Sequence, residues 1–199
     1  MQPTALSHRL IFIRHGETLW NVEGRLQGQQ DIPMNGRGRD QASAVGRALR
    51  DWRGPELAGL NFIASPLGRT METLRLARAA IGLAPSPFGA DERLKELTFG
   101  SWEGLTWDEV KAADPLSAKA READKWNFVP PDGESYEMLA ARVLPWLQSI
   151  EAETVVASHG GVARVLMAMI AGVPMAVAPA QDIIQGRALI FEGGGCRWL

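Results

Sequence analysis

Short apolar runs alternate along this chain with longer amphipathic stretches. Four runs are too short for helices and end in polar or glycine-containing segments: Arg9–Ile13, Phe62–Ala64, Thr154–Ala157 and Ala188–Phe191. Runs of this kind, rich in Ile, Val, Leu and Phe, are typical of strands that are buried in a sheet. The pattern therefore predicts four core strands spread over the whole chain.

Between these strands, apolar residues recur at the spacing of a helix. The four apolar stripes are Ala42, Val45, Leu49 and Trp52; Met71, Leu74, Ala77 and Ile81; Tyr136, Leu139, Ala140, Val143, Leu147 and Ile150; and Val162, Val165, Leu166, Met169 and Ile170. Asn35 is placed to cap the first helix. Helices that alternate with buried strands predict an α/β sandwich with a largely parallel sheet.

The segment at about 97–131 does not follow this alternation. It has mixed charge and short helical patches, and we expect it to form a lid-like insertion in a single domain that spans residues 1–199. Four of its aromatic residues either stack on the leaving group of a substrate or pack inside a small lobe: Trp102, Trp107, Trp126 and Phe128. The sequence leaves these alternatives open.

Composition excludes several classes of function. The chain has 199 residues, 46% hydrophobic and 22% charged, which is ordinary for one packed domain. Its net charge of −2 offers no basic excess for the phosphates of nucleic acid, so we exclude a general nucleic-acid binder. The longest uncharged stretch, 165–180, is interrupted by glycine and proline and is too short to span a membrane.

The expected compartment is the cytoplasm. Met1–His8 lacks the apolar core of an export signal, and Cys196 has no second cysteine with which to form an internal disulfide. The three histidines, His8, His15 and His159, are too few to suggest a histidine-rich metal site. The sequence gives no signal for an oligomeric state.

Polar clusters follow directly on three of the predicted strands. These clusters are Arg14–Thr18, Ser65–Arg69 and Ser158–Gly161, the last of which we expect to be a turn. Because ligands of α/β sheets bind outside the carboxyl ends of the strands, we expect the clusters to meet at one edge. Each residue taken singly has an ordinary structural interpretation, but two arginines and two histidines together predict a pocket for a phosphate-like dianion, in which a histidine can attack phosphorus.

The first cluster, Arg14-His15-Gly16-Glu17-Thr18, resembles the signature of the histidine phosphatase superfamily, the phosphoglycerate-mutase-like proteins. Further motifs follow in the order of that family: Ser65-Pro66-Leu67-x-Arg69 with Thr73, Leu94-x-Glu96-x-x-Phe99-Gly100-x-Trp102-Glu103-Gly104, Gly133-Glu134-Ser135, and Ser158-His159-Gly160-Gly161. The resemblance covers nearly the whole chain. It implies a three-layer α/β/α sandwich of the phosphoglycerate mutase type.

The resemblance also implies a role for each residue of the phosphate pocket. His15 is the expected nucleophile, which would become a phosphohistidine while its other ring nitrogen donates to a backbone carbonyl. Arg14, Arg69 and His159 would bind the non-bridging oxygens of the phosphoryl group, and Asn21 would be a fourth ligand. The scheme needs no metal and no cofactor.

Glu96 is the expected general acid and base in this resemblance. It would protonate the leaving oxygen and then activate water, and Glu92 and Glu103 are alternative candidates for the role. Three residues of the loop after the signature resemble the substrate-contacting segment of the family: Arg25, Gln27 and Gly28. Arg25 could equally be a solvated charge.

Three functions are compatible with these motifs. The resemblance implies that cofactor-dependent phosphoglycerate mutases are longer and carry adjacent arginines for the substrate carboxylate. Here Arg121 is the only arginine between Gly104 and Pro130. We therefore favour hydrolysis of a small phosphate ester over a mutase reaction. A binding protein without catalysis is a third possibility, although every motif residue is present.

The segment Leu94–Gly104 resembles that of the α-ribazole phosphatases and broad-specificity phosphatases. It departs from them at Thr98, where an acidic residue or histidine is often found. The α-ribazole assignment therefore stays open, and the sequence does not identify the substrate.

Overall fold

The computed structural model describes Thr4 and residues 6–199. Within this part of the chain, one sheet contains six strands: β1 (Leu10–Arg14), β2 (Asn61–Ala64), β3 (Gly89–Ala90), β4 (Thr154–Ser158), β5 (Ala188–Glu192) and β6 (Gly195–Trp198). The α-helices are α1 (Leu19–Val22), α2 (Gly36–Arg53), α3 (Gly68–Ile81), α4 (Trp107–Ala113), α5 (Pro115–Ala123), α6 (Tyr136–Gln148) and α7 (Gly160–Ala171).

The order of the strands in the sheet is β3-β2-β4-β1-β5-β6. Strands β3, β2, β4 and β1 run parallel, whereas β5 pairs antiparallel with β1 and β6 pairs antiparallel with β5. The prediction of an α/β fold with a largely parallel sheet is confirmed. The central position of β4 between β1 and β2 brings the ends of all three strands side by side.

Helices cover both faces of the sheet, as the alternation of side chains in β1 shows. Leu10 and Phe12 pack in one apolar cluster with residues of α6 and α7. Ile11 and Ile13 point the other way and pack with residues of α2 and α3. All four side chains are buried, which explains why the run carries no polar residue. The expected three-layer sandwich is confirmed.

The structure refines several boundaries. Asn35 caps α2 as predicted, since its side chain accepts a 2.8 Å hydrogen bond from the backbone nitrogen of Gly38. Gly160 and Gly161, expected in a turn, instead begin α7. Helix α6 ends before Ile150. The expected absence of an export signal in Met1–His8 falls partly on Met1–Pro3 and Ala5, which lie outside the described residues.

The segment at 97–131 contains α4 and α5 and has a small apolar cluster of its own. Trp102 is buried in this cluster and stacks on Phe128 at 5.6 Å between ring centroids, with Trp107 edge-on at 5.9 Å. Trp126 packs in the main core instead, where it stacks on Tyr136. Of the two alternatives for these aromatic residues, the geometry favours packing.

Candidate active site

The ends of β1, β2 and β4 meet at one edge of the sheet, as expected. Arg14 is paired with Ser158 in the register of β1 and β4. The backbone nitrogen of His15 donates to the Ser158 carbonyl at 2.9 Å, and that of Ser65 donates to the Ala157 carbonyl at 2.9 Å. The three polar clusters are therefore joined by backbone hydrogen bonds just beyond the strands.

A cavity opens at this edge, and most of the predicted site residues line it. Those that do are Arg14, His15, Asn21, Arg25, Gln27, Gly28, Arg69 and Glu96. His159 does not form part of the cavity wall, but its ring lies 5.3 Å from the ring of His15. The wall contains Phe99 of the 97–131 segment but none of Trp102, Trp107, Trp126 and Phe128, which agrees with a packing role for these four residues.

His15 is held in one orientation by its own backbone. Its Nδ1 lies 2.8 Å from the carbonyl oxygen of Gly16. A carbonyl oxygen only accepts, so Nδ1 carries a proton and the lone pair of the neutral ring is on Nε2. Burial holds the pKa of His15 well below its usual value, and the charges of Arg69 and Arg14 lower it further. The ring is therefore neutral at neutral pH.

His159 is buried beside His15 and is also kept neutral. Burial, above all, and then the charge of Arg69 hold the pKa of His159 well below its usual value. Its Nε2 lies 2.8 Å from the Ser65 hydroxyl oxygen. Its Nδ1 is buried and has no hydrogen-bond partner among the described residues. With the Ser65 hydroxyl donating to Nε2, Nδ1 carries a proton that can be donated to an anion.

Two guanidinium groups, that of the buried Arg69 and that of the half-buried Arg14, approach the same region. Arg69 is fixed by the carbonyls of Gln30 (2.6 Å) and Gly28 (2.8 Å), and Arg14 by the carbonyl of Ile183 (2.7 Å). Burial, and then the neighbouring Arg164, lower the pKa of Arg14 to about 10, so it stays charged at neutral pH. Within the described chain, the Nε atoms of both arginines are buried without a partner.

The loop after β1 supplies another part of the wall. Gly28 adopts φ +50°, and a Cβ there would overlap the Glu103 carboxylate, so both conformation and space require glycine. Gln27 is buried, and its Oε1 has no partner in residues 4 and 6–199. Arg25 is already occupied, since it contacts Glu23 (2.7 Å) and Glu109 (3.1 Å).

Asn21 lines the cavity from α1, a helix that the sequence pattern did not reveal. Its Oδ1 accepts from the backbone nitrogen of Thr18 at 3.1 Å and from Nε2 of Gln185 at 3.1 Å. Thr18 in turn caps the helix by accepting from the backbone nitrogen of Asn21. Because these contacts use the amide oxygen, the amide nitrogen of Asn21 is left as the group that can face an anion.

The structure separates the three candidate carboxylates. Only Glu96 lines the cavity, and its two oxygens accept backbone hydrogen bonds from Leu97 (3.0 Å) and Gly161 (2.9 Å). Glu103 instead accepts from the Thr98 hydroxyl at 2.7 Å and from two backbone nitrogens, which makes it an anchor of its turn. Glu92 is on the surface, paired with Lys95.

Two polar residues of the wall were not among the predicted site residues. The helical spacing places Tyr136 in an apolar stripe, but the residue lines the cavity and its hydroxyl lies 3.5 Å from Nη1 of Arg164. Arg164 stands within the apolar stripe of α7, between Val162 and Val165. A single arginine among buried positions of a helix that starts at a ligand-binding edge was the signal available in the sequence.

The comparisons with known proteins agree with this geometry. The family model described as "Histidine phosphatase superfamily (branch 1)" matches residues 10–198. A probable phosphoglycerate mutase GpmB of Erwinia tasmaniensis is 34% identical, over 83% of this chain and 76% of the relative. A glucosyl-3-phosphoglycerate phosphatase of Mycolicibacterium vanbaalenii is 33% identical, over 84% of this chain and 76% of the relative.

A solved structure shows the same fold. It is that of a putative alpha-ribazole-5'-P phosphatase from Escherichia coli K-12, which superposes with a TM-score of 0.77 at 26% identity. The match covers 98% of this chain and 95% of that one.

In the part of the chain that the structure describes, every helix is too short or too polar to cross a membrane.

Proposed function

The chain belongs to the histidine phosphatase superfamily, and on that premise we propose that it hydrolyses small phosphomonoesters through a phosphohistidine formed on His15. It is a phosphatase-type enzyme, as its family and its named phosphatase relatives indicate. The observation that carries the mechanism is the fixed, neutral His15, whose free Nε2 shares a cavity with Arg14 and Arg69. A neutral imidazole beside buried cations is suited to attack a bound phosphoryl dianion.

In the first step, the lone pair of Nε2 attacks phosphorus and the ester P–O bond breaks. Glu96, in its protonated form, gives its proton to the leaving oxygen, so an alcohol departs. Arg14, Arg69 and the Nδ1 proton of His159 stabilise the charge on the non-bridging oxygens, with the Asn21 amide nitrogen as a further donor.

In the second step, the Glu96 carboxylate removes a proton from water as the water oxygen attacks phosphorus. The P–N bond breaks, inorganic phosphate forms, and His15 and protonated Glu96 are restored. The two backbone donors from Leu97 and Gly161 keep the carboxylate at one position through both steps. Gln27 and Gly28 form the wall around the leaving group. Arg25 is a weaker candidate for contacting the substrate, because its charge is already paired with Glu23 and Glu109.

The segment at 97–131 is proposed to act as the lid of this site, within a single domain. It contributes Leu97 and Phe99 to the wall, and its two helices pack on a cluster of their own. The segment has a single arginine, Arg121, and lacks the pair of adjacent arginines that the resemblance implies for the mutases, which favours a phosphatase. Relatives named for glucosyl-3-phosphoglycerate and α-ribazole 5'-phosphate show the range of small esters to be tested. The cytoplasmic location stays a prediction.

The proposal is tested with p-nitrophenyl phosphate and two histidine variants. His15→Gln should lower kcat/KM by at least about 10³-fold, whereas His8→Gln, at an exposed position, serves as the matched control. Rapid quenching with a labelled substrate should trap an acid-labile phosphoprotein in the wild type. Equal rates in wild type and His15→Gln would reject the enzyme mechanism.

A second assay distinguishes hydrolysis of the phosphohistidine from the mutase reaction, in which the phosphoryl group is transferred back to a substrate intermediate. 3-Phosphoglycerate is incubated with catalytic 2,3-bisphosphoglycerate, and both 2-phosphoglycerate and inorganic phosphate are measured. The proposal expects phosphate as the main product. Isomerisation that outpaces phosphate release would assign the chain to the mutases instead.

A further inference from the structure

The cavity contains more positive charge than one phosphoryl group requires. Besides Arg14 and Arg69, Arg164 of α7 lines it. Its contacts with described residues are a 2.9 Å hydrogen bond from Nε to the Gln181 carbonyl and a 3.5 Å contact with the Tyr136 hydroxyl. No carboxylate of a described residue lies within ion-pair distance of its guanidinium. The hydrolysis steps above do not use this residue.

Arg164 adjoins the phosphate pocket. A Cβ on Gly160 would lie 3.3 Å from Nη1 of Arg164 and 3.7 Å from Nε of Arg14, so the two guanidinium groups flank one point of the wall. The charge of Arg164 contributes to the lowered pKa of Arg14. A group bound against Arg164 is therefore a neighbour of a phosphoryl group bound against Arg14.

The lid adds a further cation to this side of the cavity. The guanidinium of Arg121 stacks on the ring of Trp107 at 4.9 Å and lies 5.7 Å from that of Phe99, whose residue lines the cavity. Burial lowers the pKa of Arg121, and the charge of Arg164 contributes to the shift. In the described chain Arg121 has no ion pair, whereas Arg25 contacts two glutamates.

Like charges in a partly desolvated wall repel one another and are costly to keep without a counter-ion. A phosphoryl dianion is the counter-ion of Arg14 and Arg69, whereas the guanidinium groups of Arg164 and Arg121 form no ion pair with any described carboxylate, Glu96 of the same cavity included. We propose that Arg164, supported by the positive potential of Arg121, forms a second anion subsite that binds an anionic group on the leaving group of the substrate. The group is a carboxylate or a second phosphoryl, since both match a guanidinium.

This inference rests on the proposed function and narrows it to esters with two anionic groups. It is tested with matched substrate pairs that differ in the second anion. 3-Phosphoglycerate and glycerol 3-phosphate differ by a carboxylate at one carbon, and fructose 1,6-bisphosphate and fructose 6-phosphate differ by one phosphoryl group. The measured quantity is the ratio of kcat/KM within each pair. The wild type should favour the doubly anionic member of at least one pair by about 10-fold or more.

Arg164→Gln should lower that ratio by about 10-fold, because a neutral amide replaces a charge-assisted contact. Arg164→Lys should recover part of it, and Arg121→Gln should lower it less. The matched control is Arg47→Gln, an exposed arginine of α2, which should leave the ratio unchanged. The pair that responds identifies the anion as carboxylate or phosphoryl.

A wild-type ratio near one in both pairs, with p-nitrophenyl phosphate still hydrolysed through His15, would overturn the inference and leave the proposed function intact. A ratio that Arg164→Gln does not change would also overturn it. If Arg164→Gln fails to fold, Arg121→Gln decides, since an unchanged ratio in that variant rejects the subsite. Absence of any hydrolysis dependent on His15 would reject the function and the subsite together.

Discussion

Nδ1 of His15 lies 2.8 Å from the carbonyl oxygen of Gly16, the next residue of the chain. A main-chain carbonyl thus orients the expected nucleophile without the help of a side-chain carboxylate. The turn is itself fixed, because the backbone nitrogen of Gly16 donates to the Thr73 hydroxyl at 3.1 Å and a Cβ at this glycine would overlap the Gly38 carbonyl. The tautomer of His15 is therefore built into the fold before any substrate binds.

The two buried histidines should make stability depend on pH. Their pKa values are lowered in the folded protein, so below the ordinary value of 6.5 the unfolded chain binds more protons. The free energy of unfolding should therefore fall as the pH decreases through 6.5. The expected loss between pH 7.5 and pH 5.5 is about 1.4 kcal/mol for each histidine, or about 3 kcal/mol for both.

Urea unfolding in phosphate-free buffer measures this dependence. The matched control is the double variant His15→Gln with His159→Gln, whose stability should be flatter over the same pH interval. Identical pH profiles for the wild type and the double variant would show that these histidines titrate normally. The pH profile of kcat/KM should show the same effect. On its acid side, the deprotonation of His15 should not appear as a transition near pH 6.5, because the pKa of that residue lies well below this value.

The separation of Glu96 from Glu103 predicts two different variant phenotypes. Glu96→Gln removes the proton donor, so hydrolysis of an alkyl phosphate such as glycerol 3-phosphate should fall by about 10²–10⁴-fold. Hydrolysis of p-nitrophenyl phosphate should fall less, because nitrophenolate departs without a proton. Steady-state rates on both substrates measure this difference.

Glu103→Gln is the matched carboxylate variant. Its oxygen anchors Thr98, Phe99 and Gln29, so the expected effect is a loss of about 1–3 kcal/mol in the free energy of unfolding. The ratio of alkyl to aryl phosphate hydrolysis should stay as in the wild type. If the ratio changes in Glu103→Gln and not in Glu96→Gln, the assignment of the acid is reversed.

Arg142 is predicted to position the segment that carries Glu96. Its guanidinium forms two hydrogen bonds with the Glu134 carboxylate (2.8 and 3.1 Å) and donates to the carbonyls of Arg93 (2.8 Å), Lys95 (3.1 Å) and Glu96 (3.3 Å). Arg142→Met should release this segment and lower alkyl phosphate hydrolysis about 10-fold more than aryl hydrolysis.

Arg142→Lys keeps the charge and should restore part of the lost activity. A role limited to stability would reduce both substrates alike and would leave the pH profile of kcat unchanged. The profile of Arg142→Met, compared with that of Arg47→Met on the surface, therefore distinguishes positioning from stability.

The sequence pattern predicted the strands and helices that carry the core. Strands such as β1 and β4 are strongly apolar because they are covered on both faces, and this burial is visible in composition. The pattern missed β3, which has two residues, and β6, whose residues Gly195–Trp198 lie at the exposed edge of the sheet. A strand at the edge of a sheet has a neighbouring strand on one side only, so its residue types are less constrained. Hydrophobic periodicity therefore does not reveal it.

For the active site, the position of polar clusters at the ends of predicted strands indicated which residues meet. Strand ends placed Arg14, His15 and His159 together, because parallel neighbours share an edge. The same reasoning could not find Arg164 or Tyr136. Both lie on helices whose apolar stripes pack against the sheet, and only the packing angle decides whether a helix residue faces the core or the cavity.

Backbone hydrogen bonds fix the lid near both of its ends. In its first part, Leu26 exchanges backbone hydrogen bonds with Gly104 and Leu105, at 2.8 and 2.9 Å. At its end, the backbone nitrogen of Glu134 donates to the Thr98 carbonyl at 2.9 Å. For protein engineering, residues 106–129 are thus a segment with fixed junctions. Exchanging them between homologues, with Trp126 retained because it packs in the main core, offers a route to altered selectivity without changing the residues that bind the phosphoryl group.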